Sequence, residues 1–355
     1  MAFYVNKKQL EANAGLRRQH QFIVNSRRAN WDHETRLMEV GGLEVNEARI
    51  PAEVWRDFDT QSMRLMSGEE GGVLLQDLMP LARNVHIGKI VSEYRRYGET
   101  ELEVRSSIDG QHAKPVNRTS FDFDGSLVLV HSTQVGRIWR ELEGMRSEGY
   151  DALLDDQAEA TRYVRRRTID NFINGTEDLT WKGYHAYGIK ENPNTLALNL
   201  GSTGGGLNVD MTSPTLTFEQ AQQVFIAVMQ TMHGGTNNAV GAVTIYVSSE
   251  IWYNLMRIAQ PGTSNTETIL TALLRTPGLA GVKMTDTLQG NEMLGIILSS
   301  QYIRPIVGMP VTTTPIPRVT PMDDWHVLVW GAPGIQVRAD SMGRSGVLYA
   351  RSYTP

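Results

Sequence analysis

YDALLDDQAEATRYVRRRTIDNFING, residues 150–175, is the stretch from which the rest of the chain is read. Its acids come first: Asp151, Asp155, Asp156 and Glu159. Its bases follow: Arg162, Arg165, Arg166 and Arg167. That order complements a helix macrodipole, which favours anions at the start and cations near the end. Glu159–Arg162 and Arg166–Asp170 stand at the i,i+3 and i,i+4 spacings that pair side chains on a helix surface. Leu153, Leu154, Ala158, Val164, Ile169, Phe172 and Ile173 form an apolar stripe that drifts around the axis. Asn174-Gly175 makes a good stop, because glycine accepts the left-handed conformation just past a helix. The stretch is predicted to be one helix of about 35 Å at ~1.5 Å per residue. The sequence on both sides is β-rich, so a long charged helix here suits a structural strut better than a pocket wall. Arg165-Arg166-Arg167 wraps around such a helix, which fits salt bridges and intersubunit contacts better than a nucleic-acid patch.

Upstream, residues 85–131 carry the clearest β pattern. VHIGKIVSEYRRYGETELEVRSS leads to the turn dipeptide Asp109-Gly110, and QHAKPVNRTSFDFDGSLVLVH returns from it. Leu102 and Val104 alternate on the way out, Phe121 and Phe123 on the way back. Asp122 and Asp124 alternate with those aromatics on what should be a solvated polar face. The arms exceed the usual ~5–6-residue strand, and a two-stranded ribbon is unstable alone in water. The ribbon therefore needs a surface to lie on, and the economical one is another subunit. Residues 51–84 look helical, with Pro51 at a first-turn position. Residues 1–50 are read as an extended or partly helical arm, rich in Asn and Gln. Lys7, Lys8, Arg17, Arg18, Arg27 and Arg28 arrive there in pairs. A frayed terminus is the plain alternative; an arm that orders on assembly and meets phosphates is the sharper one.

Between ribbon and strut, Thr133 to Ser147 reads as a short helix. Downstream, TEDLTWKGYHAYGIKENPNT (176–195) is loop-rich, and GSTGGG (201–206) is a candidate boundary. Residues 214–308 pattern as an α/β unit. Thr217 and Gln220 have capping-box spacing before a helix to Met232. AVTIYV (242–247) is a buried strand, and Ser248-Ser249-Glu250 opens a helix. Glu267 to Leu274 is a further helix, with short strands at Val282–Thr285, Met293–Leu298 and Tyr302–Val307. Trp325 to Trp330, Gly334 to Arg338 and Gly346 to Arg351 return to β, and these last strands should rejoin the sheet begun before the unit.

The totals narrow the class. The chain has 355 residues, a net charge of -5 and no cysteine. Disulfides, thiolate chemistry and cysteine-based zinc sites are excluded. No run approaches the ~18 apolar residues of a membrane span, and MAFYVNKKQL lacks the apolar core of a signal peptide. No catalytic constellation or cofactor motif stands out. No two of the eight histidines lie at i,i+3 or i,i+4. GSTGGG lacks the Lys-Ser/Thr ending of a phosphate loop, and MGRSGV (342–347) departs from the nucleophile-elbow pattern. Aromatics in WKGYHAY (181–187) suit a loop packed on a core better than a stacking platform. Catalytic and metal residues are therefore expected to be absent.

This order of elements resembles the Hong Kong 97-type capsid fold of tailed-phage major capsid proteins and the related encapsulin shells. The resemblance is carried by the ribbon (Ile87 to Val130), the spine helix and its exit FINGTEDLTWKGYHAYGI, VTIYVSSEIWYNLM (243–256) and WHVLVWGAPGIQVRADS (325–341). It implies an α+β chain of six parts. They are an N-terminal arm (1–50), the start of the P-domain (51–85), an E-loop (86–131), the P-domain with its spine (132–213), an inserted A-domain (214–308) and closing P-domain strands (309–355). It also implies pentamers and hexamers of one chain in an icosahedral virion shell around double-stranded DNA, assembled in the host cytoplasm, with no membrane. Arg17, Arg18, Arg27 and Arg28 would face the DNA without sequence preference. Asp109, Gly110, Gln111 and Lys114 at the E-loop tip, and Arg165, Arg166 and Arg167 on the spine, would touch neighbouring subunits. Some relatives cross-link an E-loop lysine to an asparagine. Lys89 and Lys114 lie in the ribbon, but nothing marks their partner. No long helical N-terminal extension of the built-in scaffold kind is expected, which leaves room for separate scaffolding, portal and decoration proteins. An encapsulin-like compartment holding protein cargo and a soluble α/β enzyme are the competing readings.

Overall fold

The computed structural model describes residues 14–41, 71–97, 108, 121–147, 149, 151–202, 205–259 and 267–352. The chain divides into two units, Met1–Arg64 and Leu65–Pro355.

The described part of the first unit is one helix, α1 (Ala14–Gly41), of 28 residues. It lies within the arm read as extended or partly helical, and the arm's described part is helical throughout. No proline and no glycine interrupt residues 16–40, and Arg, Gln, Leu, Ala, Met and Glu are good helix formers. Phe22, Ile23, Val24 and Trp31 are exposed. They cluster only loosely around the axis, so the periodic signal that usually marks a helix is weak here.

In the second unit, α2 (Gly72–Leu78) and a 3₁₀ turn (Met79–Leu81) lead to β1 (Arg83–Asn84), which pairs parallel with Ile306–Val307. The expected helix over 51–84 lies partly outside the described residues. β2 (Val91–Tyr97) and β3 (Phe121–Leu127) then form the antiparallel root of the ribbon. β4 (His131–Arg137) is a strand, not the first half of a helix; α3 (Trp139–Ser147) begins only after it. β4 has a single apolar inward residue, Val135, so no alternation marked it as a strand. Its backbone nevertheless pairs with Trp325–Gly331.

The strut is α4 (Ala152–Ile173), 22 residues long. Asp151 caps it by accepting from Leu153 N at 3.1 Å. It ends where expected: Gly175 has φ +78°, and a Cβ there would sit 2.3 Å from Gly188 N. Alanine at Gly175 would therefore clash as well as strain the backbone. Glu159–Arg162 forms, and Asp170 takes Arg167 at 2.6 Å. Leu154, placed in the apolar stripe, points outward.

β5 (Gly175–Trp181) and β6 (Tyr184–Tyr187) make a hairpin where a loop was expected. Lys182 and Gly183 form its two-residue turn, both with positive φ, a twist that matches the strands. β7 (Leu196–Asn199) follows. The capping box of α5 (Phe218–His233) is made as expected: Gln220 N donates to Thr217 Oγ1 at 3.3 Å and Thr217 N to Gln220 Oε1 at 3.1 Å. β8 (Val243–Val247), α6 (Ser249–Leu255), α7 (Ile269–Leu273), β9 (Leu279–Met284), β10 (Glu292–Ile297), β11 (Ile303–Ile316), β12 (Trp325–Val337) and β13 (Val347–Arg351) complete the chain.

The first main sheet has the order β1-β11-β12-β4, the second β7-β13-β10-β8-β9. β12 rejoins β4, as expected of a returning strand, but β13 pairs with β10 and β7 in the second sheet. The sheet of the α/β unit is thus completed by strands from outside residues 214–308. β11 and β12 run 14 and 13 residues. Gly308 and Pro310 in β11, beside its register shifts, and Gly331 and Pro333 in β12 are what shorten these strands when read from sequence.

Period-2 alternation assigns the faces of the second sheet. Val243, Ile245, Val247, Met293 and Ile297 pack under Val224, Phe225 and Val228 of α5. Tyr246, Leu294, Ile296, Val347 and Tyr349 face the other way, onto Ile169, Phe172 and Ile173 of α4. The front half of α4 lies on the first sheet through Leu153, Ala160 and Val164. Arg137 of β4 grips Asp156 with two guanidinium nitrogens. The helix is a strut in the literal sense: one end serves each sheet.

Candidate assembly surfaces

The residues singled out from sequence belong to three elements: helix α1, the ribbon and the spine helix. On α1, Arg17, Arg18, Arg27 and Arg28 are all exposed. At about 100° per residue, Arg17 and Arg28 fall on nearly one line, with Arg27 to one side and Arg18 to the other. The four charges therefore sheathe much of the helix.

The tip residues Asp109, Gly110, Gln111 and Lys114 lie outside the described residues. The ribbon root is described, and its two faces differ sharply. Tyr97 pairs with Phe121 and Arg95 with Phe123. These four side chains share the outward face, where Tyr97, Phe121 and Phe123 are 56%, 53% and 59% exposed. Tyr97 and Phe121 meet edge to face at 5.3 Å, and the Arg95 guanidinium stands 4.9 and 4.8 Å from their ring centroids. A preformed aromatic patch with a cation on it is the composition of an interface anchor.

The inward face reverses the expectation that both carboxylates are solvated. Asp122 is exposed; it lies 3.5 Å from Arg96 and accepts locally from Phe123 N at 2.9 Å. Asp124 turns to the body and accepts from Tyr94 Oη and Asn194 Nδ2, both at 2.9 Å. Burial is the chief reason the Tyr94 hydroxyl is pushed up to about 12. Sequence reasoning passed over Tyr94 and Asn194; the only local signal was the Asn192-Pro193 turn.

On the spine, Arg165, Arg166 and Arg167 are exposed as a wrapping run. Arg166 and Arg167 border a groove of about 450 Å³ floored by Ile169 and Ile173 and closed by Asp286 and Thr287. Burial first, then the Arg167 charge, holds the His131 imidazole below its ordinary range.

Among the described residues no cluster of three or more His, Asp or Glu is placed to hold a metal, and no helix is long and apolar enough to cross a membrane.

A family model described as a family of unknown function (DUF6260) matches residues 46–350. No curated protein matches the chain. Among solved structures, the capsid of Myoviridae phage XM1 is similar with a TM-score of 0.63 and 13% identity, over 86% of this chain and 99% of that one. The capsid of the native GTA particle gives 0.53 and 9% identity, over 88% and 100%. A virus-like particle from Pyrococcus furiosus gives 0.50 and 13%, over 78% and 92%. At these identities the likeness is one of fold, and the shared fold is the Hong Kong 97-type capsid fold.

Proposed function

The chain belongs to the DUF6260 family, and from that premise we propose that it is a major capsid protein. It self-assembles through pentamers and hexamers into an icosahedral head that encloses double-stranded DNA, and its role is structural rather than enzymatic. The observation that carries this is the ribbon. On a capsid-type fold, β2 and β3 ladder, among the described residues, only with each other and turn an aromatic patch to solvent. Such a solvent-facing patch, on the side of the ribbon turned away from the body, is accounted for by a neighbouring copy covering it. The neighbours of this fold are themselves shells: a phage capsid, a GTA capsid and a virus-like particle.

Within this reading, Asp109, Gly110, Gln111 and Lys114 contact the next subunit at the ribbon tip. Arg165, Arg166 and Arg167 contact one along the spine. Arg17, Arg18, Arg27 and Arg28 meet packaged phosphates without sequence preference. The division into arm, E-loop, spine-bearing P-domain and inserted A-domain belongs to the same proposal. So do a virion location after assembly in the host cytoplasm and the use of separate scaffolding, portal and decoration proteins.

Electron microscopy of the protein expressed alone and with its own genomic neighbours, beside size-exclusion chromatography, tests it. Closed shells holding nucleic acid are expected. Shells that carry only protein cargo would move the reading to an encapsulin-like compartment. A small monomer under both conditions would overturn the shell altogether and reopen the enzyme.

A further inference from the structure

The ribbon is joined to the body in two different ways. At its root the link is main chain: Leu129 N donates to Pro333 O at 3.1 Å, just past the Val128 N to Ile90 O bond of 2.8 Å that closes the ribbon's own ladder. The strands run so close here that a Cβ on Gly334 would lie 2.7 Å from Leu127 O. Beyond the root, neither β2 nor β3 shares a ladder with the two main sheets.

What reaches across instead is a set of side chains. Asn194 Nδ2, on the loop before β7, donates to Asp124 Oδ2 at 2.9 Å and to Val337 O at 3.1 Å. Tyr94 Oη donates to the same Asp124 oxygen at 2.9 Å and accepts from Ala339 N at 3.2 Å. Gln336 Nε2 donates to Ser92 O, and Tyr184 Oη to Glu93 Oε1. The Arg338 guanidinium stands 5.1 Å from the Tyr94 ring centroid. Arg96 and His185 line the adjoining cavity of about 270 Å³. Asp124 is thus one acceptor shared by the ribbon and the body.

We propose that this cluster is a latch: the ribbon is a rigid arm hinged at Ile90 and Leu127–Leu129, and Tyr94, Asp124 and Asn194 set its angle. The arm is rigid because its seven cross-strand pairs, Val91–Leu127 to Tyr97–Phe121, run without a register shift. The hinge is local because the main-chain bonds to the body are confined to the root. Releasing the cluster breaks side-chain hydrogen bonds and leaves every ladder intact, which is what a two-position element requires. The Tyr94 hydroxyl is a donor at neutral pH as any tyrosine is, and burial pushes its ionisation further up, to about 12. This goes beyond the shell reading and does not rest on it, since a hinged arm is a property of the subunit.

The chain has no cysteine, so two introduced ones label it uniquely. Nitroxides at Phe123→Cys on the exposed ribbon face and Leu154→Cys on exposed α4 report the angle as an electron–electron distance, with spin dilution by unlabelled protein. The Tyr94→Phe/Asn194→Ala variant of the full chain should widen the distance distribution about twofold. Amide exchange should rise at Ala339 and stay slow across 91–97 and 121–127. Asp122→Asn, which touches none of the cluster's hydrogen bonds, should leave the distribution unchanged. An unchanged distribution in the double variant overturns the latch. So does loss of slow exchange in the ribbon, which would mean that the cluster holds the ribbon's fold and not its angle. Equal widening in Asp122→Asn overturns it as well.

Discussion

Glu292, at the start of β10, accepts from Lys190 Nζ at 2.7 Å and from Tyr349 Oη at 2.8 Å. Burial alone would raise its carboxyl. The two hydrogen bonds, the Lys190 charge and Gln289 N outweigh burial and hold it below its ordinary 4.5. A carboxyl depressed on folding contributes stability above its unfolded value, and that contribution is lost as pH falls through the folded value. Glu292→Gln keeps the shape but removes the charge and leaves one donor without its acceptor. At neutral pH it should cost about 1–3 kcal/mol, the scale of hydrogen bonds to a charged group. In urea melts taken across pH, the gap between wild type and variant should narrow below pH 4.5. A constant gap down to the acid limit would show that Glu292 acts by packing alone. Asp77 works in the same way between helix and sheet: it takes Tyr246 Oη at 2.6 Å and Lys283 Nζ at 2.7 Å. Neither triad was legible from sequence, because each carboxylate and the donors bonded to it stand 57 to 206 residues apart.

Elements with local signals were legible and elements defined by distant partners were not. α4, α5 and α6 declared themselves through side chains that cap their own first turns: Asp151, Thr217 and Ser248. β4 did not, because only Val135 points inward and the strand exists by virtue of β12, about 190 residues on. Lys182 concealed the hairpin turn, since a lysine with positive φ is not a turn signal. The case of α1 differs: its composition favours a helix, but its apolar residues make no clean stripe. The helix nonetheless gives its paired arginines fixed directions. Glutamine is a good helix former, so replacing Arg17, Arg18, Arg27 and Arg28 by Gln should leave circular dichroism unchanged. Each arginine that meets a phosphate adds about 0.9 to the slope of log affinity against log salt on duplex DNA. The fourfold variant should therefore show a shallower slope, by up to about 3.6, and earlier DNA release from particles as salt rises. An identical slope would remove the arm from the DNA contacts and leave it a role between proteins.

At the scale of the molecule, the question is whether the ribbon serves its own subunit or another. The hydrogen bonding of both main sheets closes without it: β1-β11-β12-β4 and β7-β13-β10-β8-β9 contain neither ribbon strand. The main cores gather on α4 and α5, and the ribbon's aromatic face contributes nothing to them. A segment outside both main sheets and their cores, yet carrying three exposed aromatics, points its energetics at a partner. Removing residues 95–125 also removes Asp124 and with it the latch, but the main-chain bonds at the root remain. The truncated chain should accordingly keep a cooperative melt close to that of the full chain. It should elute as a monomer or small oligomer under conditions where the full chain closes into shells. Burial per subunit in a shell is expected to exceed the ~1,600 Å² of a standard interface. Losing one of its principal contacts should therefore block closure rather than merely weaken it. Size-exclusion chromatography and microscopy of the two chains side by side decide the matter. Closed particles from the truncated chain would place the assembly contacts on the body surfaces, among them the α4 groove bordered by Arg166 and Arg167, and would reduce the ribbon to an accessory.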